Sequence, residues 1–477
     1  MNRSRDLLLG IRTFLSSVCD LPRWQLIEKT LLVAVLLDLG LGGNGYLIHI
    51  FGLRLREIFF VLCLAWVALR LTHINPIRLD RHLVRLSIAF FAITAFDALL
   101  GYYNGNRVGA IIAELKPLSY FPMLLFFLVA IRTRRDVTLV AGVLVACGML
   151  LALIYLLVLL FTAAGILNRI TLPWVLQPTD EFIFRRVPFV GFFYKGDFYI
   201  CIAVIFLLFD PFRWTKVLAT IGVVAIAMTL TRGLAIALVT SIFVGIALNH
   251  NRTRVLLLVG QCVLLLTVLF FAEKAETDWS SPPSSQAASP AKSASASPIL
   301  LAVNSVDTEY PSPRSALQAA KPENRDFAAS DRDLPPPGTM QRLGDYQRLG
   351  DLKFIWERLD PSMVLFGRGL GAPIAGRDRI ESTYPEMLYK QGLPGLLVWF
   401  LTALYIVHLY RNCPRQTRQF ALAFLLSGIF VFVVTASNTF LTGSIGMAVV
   451  FISLASLLVL SQEERTATLL REEWYGV

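Results

Sequence analysis

The chain has 477 residues, of which 56% are hydrophobic and only 16% charged, and its mean hydropathy is +0.62. A water-soluble enzyme is excluded by that balance, since soluble domains carry about a quarter charged residues. The net charge of +11 would suggest nucleic acid on a soluble protein; on so apolar a chain it points to charge sorted across a membrane, with no nucleic-acid partner.

In chain order, the first 24 residues are too charged, and lack the apolar core, for a cleaved signal peptide. Leu7, Leu8, Ile11, Phe14, Leu15 and Val18 recur at helical spacing and predict a short interfacial helix. A spanning helix needs about 20 mostly apolar residues. Segments meeting that need run over about 26–42, 57–72, 83–101, 108–131, 137–165, 188–209, 215–231, 233–250, 255–272, 392–410, 419–437 and 442–461. The expected fold is therefore an all-α polytopic membrane protein with about 12 transmembrane helices. Six cysteines stand singly without a CxxC pair and outside the one long polar stretch, so neither a disulfide framework nor a zinc site is indicated.

The loops orient the chain. With the N-terminus cytoplasmic, the inner segments hold 20 Lys and Arg, against seven in the short outer segments (Arg54, Arg56, Arg107, Arg169, Arg185, Arg186 and Arg232). That asymmetry is the positive-inside pattern and places both termini inside. The expected layout is a cytoplasmic interfacial segment over 1–24, spans 1–9 over 25–272, spans 10–12 over 392–461 and a cytoplasmic tail over 462–477. The segment between spans 9 and 10 then lies outside. Within it, 273–340 reads as a flexible spacer, because positions 280–298 are Ser, Pro or Ala at 17 of 19 places. The remainder, 341–391, reads as an ordered helical loop: Tyr346, Leu349, Leu352, Ile355, Trp356 and Leu359 share one helical face.

Charged residues inside spans are functional candidates by default. Asp97, Glu114, Lys116, Lys195 and Asp197 all fall in the outer halves of their spans, beneath the long outer segment. A coupled transporter concentrates such groups at the midplane instead. Arg54, Arg56, Arg169 and Arg185 are explained by snorkelling to headgroups, Asp97 by capping or pairing, and Glu114 with Lys116 by partial mutual neutralisation. Arg232 is different, being wedged into the tight hairpin Leu230-Thr231-Arg232-Gly233.

Three motifs remain. Leu365-Phe366-Gly367-Arg368-Gly369-Leu370-Gly371 is rich in glycine but has no βαβ context, and predicts a turn whose backbone approaches a neighbouring helix or ligand. Asp331-Arg332-Asp333 lies in the spacer beside three prolines and is read as chance. Thr383 and Glu386 have capping-box spacing. Glu381, just before that helix start, has no such role and is a candidate general base, with a solvated loop carboxylate as the plain alternative.

Taken together, Arg348, the 365–371 string, Glu381-Ser382-Thr383-Tyr384 and Gly392-Leu393-Pro394-Gly395 resemble the last long periplasmic loop of bacterial O-antigen ligases and Wzy-type polysaccharide polymerases. Arg186-Val187-Pro188-Phe189-Val190-Gly191 and Thr229-Leu230-Thr231-Arg232-Gly233 are similar to two further family segments. The resemblance implies a GT-C-like, metal-independent inverting glycosyltransferase of the inner membrane, without cofactor, whose site faces the periplasm. Its donor would be an undecaprenyl-pyrophosphate-linked oligosaccharide in the bilayer, and other polysaccharide export or assembly proteins are implied partners. Arg186, Arg232, Lys116, Arg348, Arg368 and Tyr384 would bind pyrophosphate or glycan, and Glu381 with Arg232 would be catalytic. Ligases carry His-Asn where this chain has Glu381-Ser382, so the reading favours a polymerase of an exopolysaccharide or O-antigen. A ligase acting on lipid A–core is the alternative, and a flippase or transporter the rival from another class.

Overall fold

The computed structural model describes residues 23–43, 49–50, 53–73, 80–167, 182–184, 192–209, 213–248, 259–265, 267 and 343–475. The predicted N-terminal interfacial helix, the 273–340 spacer with Asp331-Arg332-Asp333, and Arg169, Arg185 and Arg186 lie outside these residues.

The architecture is helical. The elements are α1 (Arg23–Leu41), β1 (His49–Ile50), β2 (Leu53–Arg54), α2 (Leu55–His73), α3 (Arg81–Tyr103), α4 (Val108–Leu118), α5 (Met123–Ala130) and α6 (Arg134–Ala163). They continue with β3 (Phe182–Phe184), β4 (Phe192–Tyr194), α7 (Phe198–Phe209), α8 (Arg213–Met228) and α9 (Arg232–Leu248). After the spacer come α10 (Leu343–Glu357), α11 (Pro361–Phe366), α12 (Thr383–Arg411), α13 (Arg418–Val434) and α14 (Ser444–Tyr475). The two strand pairs, β1–β2 and β3–β4, are short antiparallel hairpins at helix ends.

Among the described residues, five helices are long and apolar enough to cross a membrane: Arg81–Tyr103, Val108–Ala130, Arg134–Ala163, Thr383–Arg411 and Ser444–Gln462. Three shorter apolar helices accompany them, so the chain is a multi-pass membrane protein. α7 sits at the centre, with all twelve of its residues buried. A helix apolar on every side needs neighbours on every side, and α6, α8 and α13 supply them. The α9–α13–α14 group and the pair α3–α12 extend the bundle outward.

Two sequence expectations change here. The run 188–209 was expected to be one span. Its described part is strand β4, a 3₁₀ turn over Lys195–Asp197, and then the short α7. The aromatic triplet Phe192-Phe193-Tyr194 prefers extended backbone, and the Asp197 carboxylate accepts from the Tyr194 N–H at 2.9 Å, capping the turn. Arg56 does not snorkel. It is buried, donates to the Asp38 carboxylate at 2.9 Å and to Ser444 Oγ at 2.9 Å, and so pins α2 to α1 and α14.

The other end of α1 carries a second ionic cluster. Arg70 Nε and Trp66 Nε1 donate to the buried Glu28 carboxylate at 3.1 and 3.2 Å, while Lys29 pairs with Asp136 at 2.7 Å. α1, α2 and α6 are thereby joined at that end. Polar ties at both ends and apolar packing between them are what a spanning bundle requires, because hydrocarbon offers no partner for a stray charge.

Candidate functional site

The site end of the bundle is organised by the glycine string after α11. α12 contains a break: Gly392 has φ +63° and ψ −163° inside the helix, two residues before Pro394. Pro394 has no N–H to give the Lys390 carbonyl, and the break interrupts the ladder above Tyr389. The string supplies both missing donors. Arg368 N–H donates to the Tyr389 carbonyl at 2.8 Å and Gly369 N–H to the Lys390 carbonyl at 2.9 Å. Leu370 N–H then reaches the Asp97 carbonyl on α3 at 2.9 Å, and Gly371 N–H the Glu114 carboxylate on α4 at 2.9 Å. Asn106 donates to the carbonyls of Arg368 and Leu370. The expectation of a close backbone approach holds, with α3, α4 and α12 as the neighbours.

Gly369 makes this docking possible. Its φ is +81°, and a Cβ there would lie 2.1 Å from the Gly101 nitrogen, a backbone atom that cannot yield. We expect Gly369→Ala to lower stability by about 1–3 kcal/mol beyond a simple positive-φ penalty. Gly105→Ala is the control, since Gly105 has φ +76° but open space around it. Thermal unfolding in detergent should show a clearly larger loss for Gly369→Ala than for Gly105→Ala.

Beneath the string lies a buried ionic knot. Lys390 Nζ donates to the Glu114 carboxylate at 2.6 Å, to the Glu386 carboxylate at 2.8 Å, and to the Asp378 carbonyl, with the lysine side chain only 3% exposed. Three sequence expectations change here. Glu114 and Lys116 do not neutralise each other: Lys116 pairs with Glu57 at 2.6 Å, while Glu114 belongs to Lys390. The capping box does not form either. The N-cap residue is Ser382, without a side-chain bond, and Thr383 Oγ1 donates instead to the Asn438 carbonyl at 3.1 Å. Asp97 is neither a cap nor half of a pair. It is 1% exposed, and neither carboxylate oxygen has a hydrogen-bond partner, although Gln391 faces it.

An open cleft lies against this knot. Its polar lining is Glu114, Arg379, Thr383, Glu386, Lys390, Gln391, Thr439 and Thr442, and its apolar lining Pro117, Leu118, Leu370 and Met387. An apolar lining with a few polar groups is typical of a binding site.

Of the residues singled out in the sequence as catalytic or substrate-binding, Glu381, Arg232, Lys116, Arg348, Arg368 and Tyr384 are among the described residues, and none of them lines this cleft. Glu381, between the cleft residues Arg379 and Thr383, receives Arg348 Nε on its Oε2 at 2.7 Å. α10 and the start of α12 are thus brought together across 33 residues. Two further ion pairs hold the same layer: Arg377 with Asp351, and Arg368 with Asp360 at 2.6 Å. Burial pushes the Asp351 carboxyl above its ordinary range against the pull of Arg377, whereas the Ser362 hydroxyl holds Asp360 below it. Arg368 is therefore engaged with α11, and Tyr384 donates its hydroxyl proton to the Phe432 carbonyl on α13.

Arg232 begins α9 and is exposed, with Leu230 before it at φ +53°. The next residue, Gly233, packs so closely on the turn after α13 that a Cβ would lie 2.3 Å from Ser437 Oγ and 2.7 Å from Asn438 Nδ2. Asn438 also accepts from Thr383. The Arg232 hairpin and the Glu381 segment therefore share one support at the same end of the bundle. Arg186 lies outside the described residues.

Sequence reasoning missed Lys390 and Arg379. Arg379 lines the cleft, is exposed, and donates from Nη2 to the Ala113 carbonyl at 3.0 Å. For Lys390 a signal existed, the i,i+4 spacing of Glu386 and Lys390. A span read as starting at Gly392 begins nine residues after the helix does at Thr383 and so leaves Lys390 outside it.

The arrangement is a cleft lined by Arg379, the Glu114–Lys390–Glu386 knot and apolar side chains, with the Arg348–Glu381 pair next to it in the chain, at one end of a membrane bundle. No protein-family model matches the chain. A search of curated proteins finds an O-antigen polymerase of Shigella flexneri, 22% identical over 435 residues, covering 89% of this chain and 93% of that protein. The chain resembles the Wzy-type O-antigen polymerases. The match extends over nearly the whole of both chains.

Proposed function

We propose that this protein is a membrane glycosyltransferase that polymerises the repeat units of an exported polysaccharide, an exopolysaccharide or O-antigen. On this reading it works at the periplasmic face of the inner membrane on undecaprenyl-pyrophosphate-linked glycans. Twelve spans with both termini inside would put the cleft, Glu381 and Arg232 on that face, in line with the asymmetry of the loop charges. The observation that carries the reading is the Arg348–Glu381 pair next to the cleft residues Arg379 and Thr383, at the end of the bundle that also holds the Arg232 hairpin, in a chain similar along its length to an O-antigen polymerase.

The chemistry follows from these groups. A sugar hydroxyl of the acceptor attacks the anomeric carbon of the donor, forming the new glycosidic bond as the carbon–oxygen bond to pyrophosphate breaks, with inversion. Glu381 takes the hydroxyl proton. Both Arg348 contacts fall on Oε2, which holds the carboxylate in place and leaves Oε1 for that proton. The leaving lipid pyrophosphate carries at least two negative charges, and guanidinium forks match phosphate oxygens in pairs. Arg232 and Arg379 fill that role, with Arg186 and Lys116 as further cations toward the lipid.

Arg232→Ala tests the assignment. We expect polymer to disappear while lipid-linked single repeats accumulate in the outer leaflet, measured by extraction of lipid-linked oligosaccharides and accessibility to an added glycosidase. Accumulation in the inner leaflet would indicate a flippase. Bare lipopolysaccharide core together with long lipid-linked chains in a deletion strain would indicate a ligase.

A further inference from the structure

The helical module between the spacer and α12 uses only part of its apolar surface for packing. α10 and α11 contribute Ile355 and Met363 to a small core with Ala372, Ile374, Ile380 and Tyr389. The rest of the apolar face stays uncovered. Leu349 is 64% exposed and Trp356 76%, while Leu352, Leu359, Leu365 and Phe366 are also exposed. At 100° per residue, positions 349, 352 and 356 fall within about 60° of one another, so they form one stripe. Lys353 and Glu357, which pair with each other at 3.9 Å, flank it on the side away from the core.

The position of the module says what covers this stripe. The Phe366 ring lies 6.3 Å from the Phe96 ring on α3, and Leu370 is bonded to the Asp97 carbonyl. α3 is one of the membrane-crossing helices, and its own Phe96 and Leu99 are exposed in the manner of lipid-facing side chains. Tyr102 and Tyr103, both exposed, mark the end of that helix, as aromatic side chains do at a membrane surface. Phe96 lies six residues short of Tyr102, about 9 Å along the axis. α11 is therefore seated beside the last turns of a spanning helix, not above it, and its exposed apolar surface continues the lipid-facing surface of α3.

We infer that α10 and α11 form an interfacial module whose Leu349–Leu352–Trp356 stripe and Phe366 are embedded in the acyl-chain boundary of the leaflet at the cleft end. An amphipathic helix with Trp and Leu on one side and charges beside them lies in the plane of such an interface. Arg348, which precedes Leu349, is thereby held at headgroup height, level with lipid phosphates, where the Arg348–Glu381 pair meets any membrane-borne substrate. The lipid seat stands on the geometry alone and does not depend on the proposed reaction.

The test uses the full-length protein in nanodiscs of phosphatidylethanolamine and phosphatidylglycerol, with the native cysteines replaced. A nitroxide is attached in turn to Leu349→Cys, Leu352→Cys and Trp356→Cys, with Lys353→Cys and Glu357→Cys as controls. The ratio of oxygen to nickel-chelate accessibility should be about threefold or more higher at the three stripe positions than at the controls, as for side chains below the headgroups. Equal ratios at all five positions would mean that the stripe faces water. Exclusion of both reagents at 349, 352 and 356 would mean that protein, from this chain or a second copy, covers it. Either result overturns the inference. A second measurement keeps the native cysteines: the fluorescence lost in Trp356→Phe should be the component quenched by lipids brominated in their acyl chains. Absence of that quenching would also overturn it.

Discussion

Glu381→Gln is expected to abolish polymer synthesis while leaving donor binding intact. The substitution keeps the size and the hydrogen-bond acceptor that Arg348 engages at 2.7 Å, but an amide cannot take the proton of an attacking hydroxyl. Loss of general-base assistance lowers turnover by about 10²–10⁴-fold. The measurement is incorporation of labelled repeat units from a lipid-linked donor by the purified protein in proteoliposomes, with donor binding followed separately. Arg348→Lys should fall between wild type and Glu381→Gln, because a lysine keeps the charge but loses the paired fork geometry. Near-normal turnover in Glu381→Gln would remove this residue from the role of base and favour Glu386, which lines the cleft.

Lys390→Met should give the largest loss of stability of any single change at the site. Lys390 is the shared cation of two carboxylates, Glu114 at 2.6 Å and Glu386 at 2.8 Å, in a nearly dry pocket. Removing one member of a buried ionic group leaves the others uncompensated, at a cost of about 3–5 kcal/mol. The effect should appear as a lower unfolding temperature in detergent and reduced folded yield. The triple variant Lys390→Met, Glu114→Gln, Glu386→Gln should recover much of it, because the stranded charges are gone. If Lys390→Met alone were as stable as wild type, the knot would not be what holds the glycine string on α4 and α12.

The membrane class and most of the helices were legible in the sequence. Uninterrupted apolar runs such as 137–165 and 419–437 identify buried or lipid-facing helices, because spacing and hydropathy are local properties. The 365–371 string was legible as a close backbone approach for the same reason: glycine's freedom at positive φ belongs to the residue itself. Glu381 stood out as a carboxylate with no local task.

Partners across the chain were not legible. Glu114 was paired with Lys116, its neighbour in sequence, but the fold pairs it with Lys390, 276 residues away. Arg56, read as reaching for headgroups, is buried against Asp38 and Ser444. Thr383 looked like a capping residue, yet its hydroxyl belongs to Asn438 on the next helix hairpin. In each case the local rule was sound, and a tertiary partner with better geometry displaced it. A low-dielectric bundle makes that outcome general, since a charge without water must find whichever partner the packing brings within reach.

The sequence by itself thus determined that the chain is a polytopic helical membrane protein, in which Glu381 is a carboxylate with no local task. Only the tertiary structure decided which arginine holds that carboxylate, and that Lys390 is the hub of the site. It also decided that the loop's helices are seated beside α3 instead of standing clear of it. The physical reason is the range of the forces. Backbone preference and hydrophobic periodicity act over a few residues and can be read in order. Ion pairing and burial act through space, where Arg348 meets Glu381 and Gly369 meets Gly101 only after the helices have packed.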